Sequence, residues 1–241
     1  MTDPFSSVQP LIEAVEQAET ATALLAATSQ LASHLASSPP PAPQAINALV
    51  QVLGFNNPGA AVAAVDGLIA CGEAAVAPLQ ARLASGPAVA GAQEPGTPRL
   101  REPCDALLEA LGQIGVANPE VLAVIRPFVE HERPLIRSAA CRALLQLTAE
   151  PHWGQQLVAL LQHQQLQVRR AALMDLGAAG WRPALEPIAA TLAENSLKLI
   201  ALRGLVENRA PVVARAAVGS AGEPQLNEAT EAVLAAMDAL L

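Results

Sequence analysis

Trp153, Arg169, Arg170, Met174, Asp175 and Trp181 fall within 29 residues and form the densest group of binding side chains in the sequence. Both tryptophans are expected in inter-helix turns of neighbouring repeats, with the arginines, the methionine and the acid between them. Such a set lines a groove for a flat, apolar ligand that carries carboxylates, because arginine pairs with a carboxylate through two parallel N–H donors. The same residues also have a purely architectural reading, in which arginine braces a neighbouring turn and tryptophan caps the core. Other chemistry finds little support. His34, His131, His152 and His163 include no i,i+4 pair, and a zinc site needs several converging ligands, so no metal is expected. Cys71 and Cys141 sit in apolar helical patterns that predict inert buried thiols, while Cys104 borders a loop and is expected to be accessible. No serine or cysteine lies beside an oriented base, and no glycine-rich phosphate loop is present.

The elements that must position these residues emerge from a repeat. Five nine-residue blocks end on leucine: AAVAAVDGL at Leu68, PCDALLEAL at Leu111, IRSAACRAL at Leu144, VRRAALMDL at Leu176 and LKLIALRGL at Leu205, with steps of 43, 33, 32 and 29 residues. Further apolar stretches, such as INALVQVLG and QLVALLQH, precede most blocks, so each unit reads as helix, turn, helix. One helix pair cannot bury its apolar face alone, and stacking neighbours makes a continuous core. Alanines at the fourth and fifth slots (Ala63, Ala64, Ala139, Ala140, Ala171, Ala172) permit close approach. The second slot holds Arg137, Arg169 and Lys198 in successive units. Hairpins of this length with a basic residue near the start of the second helix mark HEAT-like repeats. The expected fold is all-α, HEAT-like helical hairpins stacked as a curved α-solenoid.

Composition agrees. Aromatic residues make up 2% of the chain and tyrosine is absent, which thins the residues that strands favour. The net charge of −8 excludes a generic nucleic-acid or anionic-membrane binder. Three widely spaced cysteines fit a reducing cytoplasm better than a disulfide framework. The opening MTDPFSSVQP has no signal-peptide pattern, and no uninterrupted apolar run predicts membrane insertion. The expected organisation is a helical cap at 1–35, a proline-rich connection at 36–45, a repeat array at 46–210 with a Gly/Pro loop at 85–103, and a linker with a capping helix at 211–241.

Longer motifs carry a resemblance. LIEAVEQAETATALLAA and LGFNNPGAAVAAVDGLIACGEAAVAPL resemble the opening helix and first full repeat of F-type subunits of phycobilin lyases. HERPLIRSAACRALLQLT and LQVRRAALMDLGAAGWRPALEPIAATLAENSLKLIALRGLVE resemble C-terminal repeats of the E-type subunits. Together they span roughly residues 10–83 and 102–207, so the chain reads as a mosaic of the two types. The resemblance implies a HEAT-repeat lyase, or lyase subunit, that helps attach a linear tetrapyrrole such as phycocyanobilin to a cysteine of a phycobiliprotein α-subunit through a thioether bond. It implies no permanently bound cofactor, the bilin being substrate, and a complementary E- or F-type subunit as heterodimer partner. The acceptor would supply the sulfur while the lyase orients both reactants. Asp175 is then the candidate acid for protonating the tetrapyrrole, with a solvated surface carboxylate as its bland reading. Trp153, Arg169, Arg170, Met174 and Trp181 are the candidate bilin-binding residues. Isomerising members carry an adjacent His-Cys pair, which is missing here. The alternative is a non-catalytic HEAT-repeat chaperone or adaptor for phycobiliproteins.

Overall fold

The computed structural model describes residues 8–38, 40–85, 103–208 and 228–241. The described chain is all-α and divides into two compact units, Met1–Val116 and Ala117–Leu241. That division cuts across the expected 46–210 array. Most of the expected Gly/Pro loop, and residues 211–227 of the expected linker and capping helix at 211–241, lie outside the described residues.

The N-terminal unit contains α1 (Gln9–Glu16), α2 (Ala21–Ser37), α3 (Pro43–Val52), α4 (Pro58–Cys71), α5 (Val76–Ala84) and α6 (Cys104–Ile114). Local sequence explains where these helices start. The Thr20 hydroxyl accepts the Ala23 N–H at 3.1 Å and caps α2, and the Asn57 side chain accepts the Ala60 N–H at 3.1 Å ahead of Pro58. The Asn57 amide also donates to the Ala21 carbonyl at 2.8 Å, so one residue both starts α4 and ties it to the start of α2. The two helices lie close together because Gly67 leaves room: a Cβ there would stand 2.7 Å from the Ala32 Cβ. The first two helices pack within this unit, with Leu31 and Leu35 buried. The proline-rich connection shrinks at both ends, since α2 runs to Ser37 and α3 begins at Pro43.

Residues 58–84 are long and apolar enough by composition to match a membrane-spanning helix, although Asp66 and the glycines of GAAVAAVDGLIACG favour a packed core helix. The segment is broken at Gly72, whose φ of 58° starts a short 3-10 turn between α4 and α5. Its apolar residues Ala64, Leu68 and Leu79 are fully buried within the unit, against α2, α3 and α6.

The C-terminal unit contains α7 (Pro119–Ile125), α8 (Pro134–Thr148), α9 (Pro151–Leu160), α10 (Leu166–Ala179), α11 (Leu185–Ala190), α12 (Asn195–Glu207) and α13 (Glu228–Asp238). Helices α8, α10 and α12 are the second helices of successive hairpins and stack in that order. The block leucines Leu144, Leu176 and Leu205 are fully buried, each contributing about 2–3 kcal/mol of transfer free energy. Helices α10 and α12 touch through their backbones, and a Cβ on Gly204 would lie 2.5 Å from the Gly177 carbonyl oxygen. Helix α13 packs on α11 and α12, and the Asn195 amide donates to the Leu240 carbonyl at 3.0 Å.

Candidate functional site

The second-slot cations are turn braces. Arg137 donates to the carbonyls of His131 and Glu132 at 2.9 and 3.2 Å, and Arg169 donates to those of His163 and Gln164 at 2.8 and 2.9 Å. Lys198 repeats the contact with the Ala189 carbonyl at 2.9 Å. Each cation satisfies carbonyls at the end of the preceding helix or turn, which have no intrahelical partner of their own. Arg169 goes further and donates through Nε to the Leu192 carbonyl at 3.1 Å, linking two successive hairpin turns.

Two histidines share this architecture. Nδ1 of His131 accepts the Arg133 N–H, and Nδ1 of His163 accepts the Gln165 N–H, both at 3.1 Å. They stand 32 residues apart, the same step that separates Leu144 from Leu176. That spacing was the signal available in the sequence, and it identifies turn-forming acceptors. Among the described residues no group of histidines, cysteines and carboxylates converges as a metal site would.

Asp175 is not a solvated acid. It is 8% exposed, its Oδ1 pairs with Arg142 Nη1 at 3.0 Å, and its Oδ2 accepts the Ser138 hydroxyl at 2.5 Å. Both carboxylate oxygens are thus engaged between α8 and α10, where the pair joins the two helices. Gln146, one turn beyond Arg142, continues the same stripe by donating to the Ala178 carbonyl at 3.4 Å.

The six candidates do not converge on one groove. Trp153 lies inside α9 and is 8% exposed, and Trp181 follows α10 and lies over α9. A Cβ on Gly154 would come within 2.5 Å of the Trp181 ring, so the missing side chain there is the seat for that indole. The expectation that both tryptophans occupy turns fails for Trp153 because Pro151 starts the helix two residues earlier. The tryptophans lie near the C-terminal end of α10 and the arginines at its start. Twelve residues of helix correspond to about 18 Å, so no single small pocket holds both.

What remains together is Arg170 and Met174, one turn apart on α10. Arg170 makes a bidentate pair with Glu194 just before α12, with Nε to Oε2 at 3.0 Å and Nη2 on Oε1. Both side chains are about 40% exposed, so the pair contributes roughly 0–1 kcal/mol to stability. Met174 is 37% exposed.

The N-terminal unit offers a different surface. Phe55, Val62, Val65, Asp66, Asp105 and Glu109 border a hollow of about 210 Å³ between α4 and α6. A second hollow of about 260 Å³ lies between α2 and α4, lined by Ser29, Ser33, Ala63, Asp66 and their neighbours. Sequence reasoning placed no site here, because the acids belong to two helices separated by the segment 85–103.

All three cysteines are free thiols and buried. Burial pushes the Cys71 thiol up to about 11. Burial, with the negative charge of Asp175 adding to it and Arg137 opposing it, pushes Cys141 up to about 12. Cys104 is buried as well, contrary to expectation, because it is the first residue of α6 and shares a face with Leu107, Leu108 and Leu111. A thiolate is the nucleophile in sulfur chemistry, and the raised thiols of Cys71 and Cys141 stay protonated at neutral pH.

Known proteins match this arrangement. Residues 105–177 match the family model for HEAT repeats. The chain is 57% identical over 112 residues to the bilin biosynthesis protein RpcE of Synechococcus sp. (strain WH8020), covering 46% of this chain and 42% of that protein. It is 52% identical over 134 residues to a phycocyanobilin lyase subunit alpha of Picosynechococcus sp., covering 56% of this chain and 49% of the relative. These two matches therefore span about half the relatives' length or less. A phycocyanobilin lyase subunit alpha of Synechococcus elongatus is 38% identical over 199 residues, or 83% of this chain and 70% of the relative. Among solved structures, a chain in the complex of CpcE and CpcF of phycocyanin lyase from Nostoc sp. PCC7120 superposes with a TM-score of 0.68 at 34% identity, over 98% of this chain and 83% of that one. Hairpins braced by second-slot cations, and a likeness that runs through nearly the whole chain, settle one point of identity: the chain belongs to the E/F-type phycobilin lyase family.

Proposed function

We propose that this chain is a component of a phycobilin lyase. It holds a linear tetrapyrrole, such as phycocyanobilin, while a cysteine of a phycobiliprotein α-subunit forms the thioether bond. The observation that carries this reading is the likeness, over 98% of this chain, to one chain of the CpcE and CpcF complex. The buried thiols agree with it, since the reacting sulfur must then come from another polypeptide. The chain's part is positioning: a bound bilin and a docked acceptor meet as neighbours rather than by free collision. The bilin is substrate, and no resident cofactor enters the scheme. A complementary lyase subunit is the expected partner, because the structural relative comes from a two-subunit complex. The reaction belongs in the cytoplasm, where the acceptor thiol stays reduced.

Asp175 is a positioning residue in this scheme, acting through Arg142 and the α8–α10 contact. Trp153, Trp181 and Arg169 shape the hairpins, and Arg170 and Met174, both partly exposed, are the members of the original set that we assign to substrate contact.

The test is co-expression with bilin-synthesis enzymes and an apo α-subunit, with and without a complementary lyase subunit. A zinc-fluorescent covalent adduct that requires this chain supports the reading. Capture of the apo α-subunit with no adduct under any combination replaces it with a non-catalytic chaperone or adaptor.

A further inference from the structure

Arg169 and Arg170 are adjacent in sequence and differently committed. Arg169 is locked to three main-chain carbonyls of two turns. Arg170 is held by one exposed carboxylate, that of Glu194. A second exposed arginine–glutamate pair lies within α12, where Arg203 Nε makes a single i,i+4 contact with Glu207 Oε1 at 2.7 Å and both side chains are more than half exposed. The same two helices carry two exposed apolar side chains, Met174 on α10 and Ile200 on α12. Helical spacing puts Arg170 and Met174 on the side of α10 away from the buried Ala172 and Leu176, and Ile200 and Arg203 on the side of α12 away from the buried Leu202 and Leu205. The backbone contact at Gly177 and Gly204 keeps the helices close, so the four side chains share one two-helix platform.

We propose that this platform carries the tetrapyrrole, and that Glu194 and Glu207 are internal stand-ins for its two propionate carboxylates. The inference rests on the lyase reading for the identity of the substrate. A propionate replaces Glu194 on the fork of Arg170, and the other replaces Glu207 on Arg203, while Met174 and Ile200 lie beneath the pyrrole rings. One carboxylate exchanges for another on the same donors, so little is lost in the swap. Weak, exposed pairs suit such an exchange, and the triply bonded Arg169 does not. Each glutamate is thus a competitor of the substrate, and its removal strengthens binding.

The experiment titrates the purified full chain with biliverdin, a linear tetrapyrrole dicarboxylate, and with its dimethyl ester, following absorbance. Glu194→Gln and Glu207→Gln are expected to tighten biliverdin by about two- to fivefold each and to leave the ester unchanged. Arg170→Gln and Arg203→Gln are expected to weaken biliverdin and spare the ester. Thermal melts of all four variants confirm that the fold persists. Unchanged or weaker biliverdin binding in Glu194→Gln, equal response of acid and ester, or no binding in any variant overturns the proposal. If chromophore transfer in the co-expression assay survives such a result, the lyase reading stands and only the placement is lost. If transfer fails as well, both fall.

Discussion

The two units use the same helix-pair grammar and spend their polar residues differently. In the C-terminal unit, cations close the hairpin turns from within: Arg137, Arg169 and Lys198 donate to carbonyls, and Arg142 joins α8 to α10 through Asp175. In the N-terminal unit the corresponding work falls to neutral caps and close backbone approach, at Thr20, Asn57 and Gly67. Asp66, Asp105 and Glu109 also border a hollow there, and Glu109 accepts the Gln113 amide at 3.1 Å. A charge therefore means different things in the two places. It is architecture where it faces a carbonyl or a buried counter-charge, and available surface where it faces solvent.

The largest expected effect tests that distinction directly. Asp175→Ala removes the buried carboxylate that faces Arg142 and Ser138 and is expected to cost about 3–5 kcal/mol of unfolding free energy. Asp66→Ala, on the exposed rim of both hollows, is expected to change stability by less than about 0.5 kcal/mol. Urea denaturation of the two variants reads both, and equal losses would erase the contrast.

Next in size is the split within the arginine pair. Arg169→Gln removes charged donors from three carbonyls and is expected to cost about 2 kcal/mol, whereas Arg170→Gln is expected to cost at most about 1 kcal/mol. Denaturation midpoints at fixed salt measure the difference, and a reversal would move the functional assignment from Arg170 to Arg169.

A pH profile sharpens the account of the buried thiols. The folded Cys141 thiol titrates above its usual value of 9.0, so the folded state holds the proton more tightly than the unfolded chain. Its contribution is fully present below about pH 9 and is lost as pH rises toward about 12. Melting temperatures recorded from pH 8 upward should fall less steeply in Cys141→Ala than in the parent chain. Parallel curves would mean that alkaline loss comes from other groups.

The smallest effect concerns a helix end. Ala149 follows α8 in the left-handed region at φ 56°, where α6 and α10 use Gly115 and Gly180. Ala149 is exposed, so Ala149→Gly gives up no packing and is expected to stabilise the chain by about 0.5–1 kcal/mol, read from the same denaturation curves.

By itself the sequence determined the helices, their pairing and the brace positions. Those features depend on local rules: proline and asparagine at helix starts, leucine at a repeating step, a cation at a repeating slot. Even the turn histidines were present as a 32-residue interval. Tertiary structure decided which charges were already taken. Asp175 is two helices away from Ser138 and one hydrogen bond away in space, and Arg170 meets Glu194 across 24 residues of chain. It also decided that α10 runs too far for its tryptophan end and its arginine end to share a pocket, and that Cys104 turns inward. A side chain's partners come from elements that only packing brings together, and for charged groups those partners separate a strut from a binding residue.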